Sequence, residues 1–285
     1  MKMNRASSFV LLALVYLLAS AVGVLVYLWM PGDMWLRLLV ADVAATLLTF
    51  VYSLLFHNAS VYDPYWSVQP MVILSAFILT ETVTAGKLLL LVAVCFWGLR
   101  LTANWAYTFH GMEHQDWRYT MLKEKTGVFY PIINLVGIHM VPTLVVYGCT
   151  LPGVMLMQSS GEFSPLCLIG LAISVLAVFL QGISDIQMHK YRKNRKTPFI
   201  EIGLWKHARH PNYLGEILMW WGVAAYTVAA LGFQWYYIAG AVANTLLFFF
   251  VSIPMADGRQ SRKQGFSEYK KRTRMLLPIP KKTRN

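Results

Sequence analysis

Apolar residues occur along this chain in long runs that short polar segments separate. Eight windows of about 20 mostly apolar residues can be placed, each long enough to cross the hydrocarbon core of a bilayer. They lie at 9–30, 34–56, 66–84, 88–109, 128–157, 164–184, 213–231 and 234–254. The pattern predicts an all-α, polytopic membrane helix bundle of about eight spans, with seven as the smaller count. We expect one transmembrane domain over 1–285, with an N-terminal helical pair at 1–56 and a core at 57–285.

The composition agrees with this pattern. Hydrophobic residues make up 57% of the chain and charged residues 13%, and the mean hydropathy is +0.49. These values describe an integral membrane protein, and the eight windows leave no room for a soluble domain. Cys95, Cys149 and Cys167 all fall inside windows, where neither a disulfide framework nor a zinc cluster is expected.

Positive charge is concentrated in a few polar segments. The segments 1–8, 110–127, 185–212 and 254–285 hold 22 of the 25 lysines and arginines. With eight spans these segments share one side of the membrane, which the positive-inside rule makes the cytoplasmic side. Both termini and the functional site are therefore expected on the cytoplasmic side. Orientation and anionic lipid head groups account for most of this charge, so nucleic acid is not an expected partner.

The segment Arg209–Glu216 places a polar cluster where a basic loop meets an apolar helix. Pro211 suits the first turn of a helix, and Asn212 and Glu216 share one helical face. The basic run 190–196 precedes this cluster, and arginine side chains in such a run bind phosphate in a bidentate manner. This arrangement predicts a phosphate-rich ligand at the mouth of a membrane helix.

Two other polar segments carry candidate chemistry. In the segment 57–67, Asp63 precedes Pro64 and is read either as the cap of a helix or as a proton-holding group whose pKa burial raises. In the segment 110–119, Asp116 and Arg118 are expected to form an ion pair, with Arg118 within reach of a phosphate. His110 and His114 lack the His-Glu-x-x-His pattern, so we expect no metal.

Ionisable residues also occur inside the windows, where they usually line a cavity or pair with each other. Arg100 lies near the middle of the fourth window and is a candidate for function. Asp42 and Glu81 lie toward the opposite membrane edge, where hydration explains them. The tail after residue 257 is basic, and Phe266 and Tyr269 give it an anchoring face, so we expect it to fold back over 185–212 as a lid.

Several of these motifs occur together, and in this order, in one known group. The stretch His-Pro-Asn-Tyr-x-Gly-Glu, the preceding pair Asp185 and Arg192, and the ending Gly-Phe-x-Glu-Tyr…Leu-Pro-x-Pro resemble the steroid 5α-reductase superfamily. The loops Asp-Pro-Tyr-Trp-Ser and Asp-Trp-Arg-Tyr are similar to those of its bacterial members. The resemblance covers roughly residues 60 to 280. It implies a multi-pass reductase of the bacterial inner membrane that uses NADPH to saturate a double bond conjugated to a ketone in a steroid or related lipid.

The resemblance also implies roles for individual residues. It places Asp185, Arg192, Asn212 and Glu216 around the nicotinamide cofactor, with Arg118 near its phosphates. Tyr213 within the same motif, the intramembrane Arg100 and the tail residue Arg262 complete the cofactor-binding candidates. No Gly-x-Gly-x-x-Gly sequence is present, so a dinucleotide would bind without a Rossmann domain.

The carbonyl-binding group departs from the family pattern. The acid that binds the 3-keto oxygen maps to Asp63, but its tyrosine partner falls on Trp97, which has no phenol. Tyr65 or Tyr107 is then expected to supply the hydroxyl, unless Asp63 serves alone. The span at 34–56 also departs from the animal enzymes, which have a loop there.

The expected reaction is hydride transfer to the β-carbon of an enone, assisted by a hydrogen bond to the carbonyl oxygen. The substrate would enter a monomeric protein from the bilayer. An isoprenylcysteine-type carboxyl methyltransferase is an alternative, because such enzymes share an Arg-His-Pro-x-Tyr-x-Gly stretch and bind S-adenosylmethionine. A non-catalytic lipid-binding protein is a third possibility, although it would not explain the polar cluster at the helix mouth.

Overall fold

The computed structural model describes residues 3–160 and 163–281, and this part of the chain is almost entirely helical. Its α-helices are α1 Arg5–Trp29, α2 Met34–Leu55, α3 Tyr65–Leu79, α4 Ala85–Thr108, α5 Trp117–Thr126, α6 Tyr130–Ile133, α7 Val141–Gln158, α8 Cys167–Lys193, α9 Pro211–Leu231, α10 Trp235–Leu247, α11 Ile253–Gln260 and α12 Phe266–Arg272. Short 3-10 helices lie at Ala59–Tyr62, Gly127–Phe129 and Gly203–Lys206, and π-helical segments at Asn134–Met140 and Phe248–Ser252.

Seven helical stretches in the described residues are long and apolar enough to cross a membrane. The stretch Trp117–Gln158 joins α5, α6 and α7, and Trp235–Gln260 joins α10 and α11. The predicted class, a polytopic helical membrane protein, is confirmed. Of the two predicted counts, the structure agrees with the smaller one, seven, because the window at 66–84 forms α3 of only 15 residues. The polar run Thr80–Thr82 ends this helix. The placement of both termini in the cytoplasm assumed an even number of spans, so it stays a prediction.

Contacts divide the chain into two compact units, each built from two segments. The first unit comprises 1–73 and 101–151, and the second comprises 74–100 and 152–285. The proposed division between residues 56 and 57 stays a prediction.

In the first unit, α1 and α2 pack together as a helical pair. Asn4 begins α1 by accepting a hydrogen bond from the backbone N–H of Ser7 at 2.8 Å. At the other end, the guanidinium of Arg37 donates two hydrogen bonds, of 2.9 and 2.7 Å, to the carbonyl oxygen of Tyr27. Because the last carbonyls of a helix have no partner within it, Arg37 acts as a C-terminal cap that joins α1 to α2.

In the second unit, α8 and α9 make the most extensive contact between two helices. Glycines allow their backbones to approach closely, as is typical of membrane helices. A Cβ atom on Gly170 would lie 2.4 Å from the backbone nitrogen of Tyr226, and one on Gly222 would lie 2.2 Å from Oγ of Ser174. Neither glycine therefore leaves room for a side chain.

The tail of the second unit packs on the loop between α8 and α9, and we call residues 266–275 the C-terminal strap. The rings of Phe199, Phe266 and Tyr269 form a buried cluster. The backbone N–H of Arg274 donates to the carbonyl of His207 at 2.9 Å. The predicted fold-back over 185–212, with Phe266 and Tyr269 as its anchoring face, is confirmed.

Candidate functional site

A buried carboxylate lies at the centre of the polar groups of the second unit. Glu216 of α9 is 5% exposed. Its Oε2 accepts hydrogen bonds from Trp97 Nε1 at 2.9 Å and Gln181 Nε2 at 2.6 Å, and its Oε1 accepts one from Trp220 Nε1 at 3.0 Å. A buried carboxylate is costly unless its oxygens are hydrogen-bonded, and these three donors meet that requirement.

The network continues from Gln181 to an ion pair. The Oε1 of Gln181 accepts a hydrogen bond from Arg100 Nη2 at 2.6 Å, and Arg100 Nη1 lies 2.7 Å from Asp185 Oδ2. Helices α4, α8 and α9 each contribute to it. We call these residues the Glu216 network: Trp97, Arg100, Gln181, Asp185, Glu216 and Trp220. Its formal charge is negative by one, because two carboxylates face one guanidinium.

The structure brings together three of the predicted cofactor-binding residues, namely Arg100, Asp185 and Glu216. Arg192 lies close enough to Asp185 for an electrostatic interaction, but its side chain is exposed. Gln181 and Trp220 were missed by the sequence analysis. Gln181 lies one helical turn before Asp185, and Trp220 lies one helical turn after Glu216. Side chains at this spacing share a helical face, so the spacing was the sequence signal that could have identified both residues.

The mouth of α9 is fixed by an ion-pair cluster. Asp257 of α11 lies 3.3 Å from Arg209 Nε and 2.9 Å from His210 Nε2, and all three side chains are buried. The ring of Tyr213 stacks on that of His210, with a centroid separation of 5.1 Å and an interplanar angle of 8°. The predicted residue Tyr213 is therefore held against the loop. Arg262 is exposed in the turn after α11.

Asn212 occupies the second position of α9, and its Oδ1 is buried. This oxygen has no hydrogen-bond partner among the described residues, and the same holds for Nε of Arg100. One atom is an acceptor and the other a donor, and each would be costly to bury unpaired. The second unit thus offers a polar ligand one buried acceptor and one buried donor.

The first unit has a polar cluster of its own around Asp63. The phenol of Tyr119 donates to Asp63 Oδ1 at 2.6 Å. Burial raises the pKa of Asp63 from 3.8 to about 6, although the nearby guanidinium of Arg118 and the Tyr119 hydrogen bond oppose that rise. The predicted pair of Arg118 and Asp116 is confirmed at 2.7 Å. Tyr119 was not among the residues predicted from the sequence, but it is the phenol that is hydrogen-bonded to Asp63.

The other two predicted hydroxyls lie elsewhere in the first unit. Tyr65 donates to Asp42 Oδ1 at 2.7 Å, and Gln69 Nε2 donates to Asp42 Oδ2 at 2.8 Å. Asp42 is 5% exposed, so the interpretation of this residue as hydrated is wrong: its two donors replace the water. The side chain of Tyr107 is largely exposed.

In the described residues, no group of three or more histidine, cysteine, aspartate or glutamate side chains could hold a metal ion. The rings of His110 and His114 pack edge to face at 5.7 Å.

Comparison with known proteins gives one finding. No curated protein and no solved structure matches the chain. A family model described as "Protein of unknown function (DUF1295)" matches residues 49–273, which is most of the chain. That family falls within the steroid 5-alpha reductase-like group. The chain, a multi-pass helical membrane protein, therefore belongs to the DUF1295 family.

Proposed function

We propose that this protein is an NADPH-dependent membrane reductase that saturates a C=C bond conjugated to a ketone in a steroid or steroid-like lipid. The observation that carries the proposal is the Glu216 network. Three membrane helices converge there on one ion pair and one buried carboxylate, next to a helix mouth that a basic loop precedes. Such groups are costly within an apolar bundle, and they are typically retained for function.

The unpaired atoms suggest how the cofactor would be held. Asn212 Oδ1 is a buried acceptor and Arg100 Nε a buried donor, and neither has a hydrogen-bond partner among the described residues. They would bind the carboxamide, while Arg192 and Arg262 at the exposed boundary would bind phosphates. Bound NADPH would supply a hydride. The chain's own contribution is to orient the ring, to exclude water and to fix the charges around it.

The second contribution is a hydrogen bond to the carbonyl oxygen of the substrate, on which negative charge develops as the double bond is reduced. In the first unit, the raised pKa of Asp63 keeps a fraction of this carboxyl protonated near neutral pH. The phenol of Tyr119 is hydrogen-bonded to it and is buried. Together they form an acid pair of the kind that stabilises an enolate oxygen. The product would then take its remaining proton from solvent.

The membrane location supports a proposal for the substrate route and the setting. We expect a lipid to enter a monomeric protein from the bilayer, with apolar helix walls holding its ring system. We place the protein in the bacterial inner membrane with the cofactor on the cytoplasmic side, where NADPH is available.

One observation also favours a second function. The Glu216 network carries a formal charge of minus one, and a negative site suits the cationic sulfonium of S-adenosylmethionine. A carboxyl methyltransferase is therefore the alternative.

Thermal stability in the presence of each cofactor separates the two functions. A ligand that binds only the folded state stabilises it by about 2.7 kcal/mol at one hundred times its Kd. We expect NADPH to raise the Tm of the purified full chain and S-adenosylmethionine to leave it unchanged. Selective stabilisation by S-adenosylmethionine would replace the reductase with the methyltransferase. No response to either NADPH or NADH would contradict the proposal.

Two variants test whether the rise in Tm with NADPH depends on Asn212. Asn212→Ala removes an oxygen that has no partner among the described residues, so the fold should tolerate it. We expect this variant to respond much less to NADPH. Asn194→Ala, at the exposed end of α8, is the matched control and should respond as the wild type does. Equal responses from both variants would remove Asn212 from the cofactor site.

A further inference from the structure

The first unit contains a second set of buried polar atoms, which the proposed reduction does not use. Asn134 and His139 lie at the beginning and near the end of the π-helical segment Asn134–Met140. Their side chains are almost wholly buried, at 1% and 0% exposed. A short π-helical segment within a longer helix is uncommon and is often found at functional sites.

The proton on the His139 ring can be assigned from its neighbour. Its Nδ1 lies 2.9 Å from the backbone carbonyl oxygen of Asn134. A carbonyl oxygen only accepts, so Nδ1 carries the hydrogen. The neutral ring is then the less costly form in a buried site, and its Nε2 is an acceptor. This Nε2 is buried and has no partner among the described residues.

The orientation of the Asn134 amide follows from a similar argument. The hydroxyl of Ser53 donates to the carbonyl oxygen of Phe50 at 2.7 Å, so its oxygen is left to accept. The Asn134 group 2.9 Å from it must therefore be Nδ2, which donates. The remaining atom, Oδ1, is a second buried acceptor without a partner among the described residues. One short segment thus presents two acceptors that lack donors.

The surroundings of His139 are aromatic. The centroid of its ring lies 4.7 Å from that of Tyr62 and 5.5 Å from that of Phe50. The hydroxyl of Tyr62 is engaged with Thr143 at 2.8 Å, and Thr143 with Thr46 at 2.9 Å. These neighbouring hydroxyls are therefore occupied with one another. A group that satisfies His139 Nε2 must arrive with its own hydrogen, on an apolar body that fits beside aromatic rings.

We propose that His139 Nε2 is the acceptor of a binding site for the hydroxyl group of a ring-bearing lipid. The site rests on the proposed function in one respect, since it narrows the reductase substrate to lipid ketones that carry a hydroxyl at another position. Recognition depends on the single hydrogen of that hydroxyl, because His139 Nε2 only accepts. A ketone or an ether at the same position offers only acceptors and would leave His139 Nε2 unpaired.

Three probes that differ at one position test this requirement without any variant. We would measure the Kd of the purified full chain, with no cofactor present, for a 4-en-3-one steroid whose D ring carries a hydroxyl, a ketone or a methoxy group. We expect the alcohol to bind about tenfold more tightly or better, because a site built for a hydroxyl discriminates strongly against analogues that lack it. Equal affinities would overturn the proposal, since a site filled by water would not distinguish the three.

A variant then assigns the discrimination to His139. His139→Phe keeps a ring of similar size but removes the acceptor, so the three probes should bind with nearly equal Kd values. His114→Phe changes an exposed histidine and is the matched control, which should keep the preference for the alcohol. A preference retained in His139→Phe would overturn the assignment. If that variant does not fold, the comparison of the three probes on the wild type still decides.

The two proposals fail in different ways. Because no cofactor is present, a missing NADPH response would contradict the reductase and leave the alcohol preference intact. Absence of binding by all three probes would overturn the hydroxyl site even if NADPH stabilised the protein.

Discussion

Trp97 donates a hydrogen bond of 2.9 Å from its indole nitrogen to Glu216, and both side chains are buried. Trp97 stands where the resemblance to the steroid 5α-reductase superfamily would place a tyrosine. The indole at this position is therefore engaged in holding a carboxylate. In the proposed reaction a phenol for the carbonyl of the substrate must come from another position, and the candidate is Tyr119, a buried phenol bonded to Asp63.

Trp97→Phe removes one of the three donors to Glu216 and leaves a smaller ring in a fully buried position. A hydrogen bond to a charged group contributes about 1.5–3 kcal/mol, and the lost volume adds to the cost. We expect the free energy of unfolding to fall by about 2–4 kcal/mol, measured by denaturant titration in detergent. Trp221→Phe is the control: its indole donates to a neutral partner, Thr245, in a partly buried position, so the loss should be smaller. Similar losses in the two variants would contradict the role given to Glu216.

Tyr119→Phe tests the proposed carbonyl-binding pair of Tyr119 and Asp63. The ring should keep its packing against Ile138, so the fold is expected to persist. Loss of one donor to a developing oxyanion typically lowers the rate by about 100-fold or more. We therefore expect turnover of an enone lipid to fall by that factor while the NADPH-induced rise in Tm is unchanged. Tyr107→Phe changes an exposed phenol and should retain turnover. The reverse result, with Tyr107→Phe inactive, would return the role to Tyr107.

Asp63 makes stability depend on pH. Its pKa is about 6 in the folded protein against 3.8 for the free side chain, so the folded state holds this proton more tightly. The free energy of unfolding therefore falls as pH rises from 3.8 to about 6. Above that range the penalty, which is the cost of burying the charged carboxylate of Asp63, stays at its full value. Asp63→Asn lacks this penalty. We expect its Tm to exceed that of the wild type above pH 6 and the difference to shrink as pH approaches 3.8. Glu113→Gln, at an exposed site, should show no such trend.

Asp257 ties the mouth of α9 to α11. Asp257→Ala leaves the guanidinium of Arg209 buried without its carboxylate, and breaking a buried pair from one side costs about 3–5 kcal/mol. We expect a large fall in Tm and faster tryptic cleavage within the C-terminal strap. Glu268→Ala breaks an exposed pair with Lys271, which is worth about 0–1 kcal/mol, and serves as the control. An Asp257→Ala variant as stable and as protease-resistant as the wild type would show that the cluster does not fix the strap.

Gly170→Ala tests the close packing of α8 on α9. Its Cβ would lie 2.4 Å from a backbone nitrogen of α9, and a backbone atom cannot move aside cheaply. We expect a loss of about 1–3 kcal/mol from overpacking, or failure to assemble. Gly258→Ala introduces the same methyl group into a helix where nothing lies within 4 Å, so it should be neutral or slightly stabilising. A neutral Gly170→Ala variant would mean that the two helices do not approach this closely.

The sequence predicted the fold class because bilayer length and apolar runs constrain helices strongly. It also predicted the Asp116–Arg118 pair, which is local, and the anchoring of the tail by Phe266 and Tyr269. It placed one span too many, because a window of apolar residues at 66–84 does not reveal that the polar run after Leu79 ends α3 early.

The sequence by itself determined seven of the eight predicted membrane helices and the polar motifs that flank them, since both depend on neighbours along the chain. Only the tertiary structure decided that Gln181 links Arg100 to Glu216. It also decided which phenol donates to which carboxylate: Tyr65 donates to Asp42, and Tyr119 donates to Asp63. The two members of each such pair lie many residues apart in the chain. Which donor meets which buried carboxylate is therefore set by how the helices pack, and the apolar pattern that predicts a helix does not specify its partners.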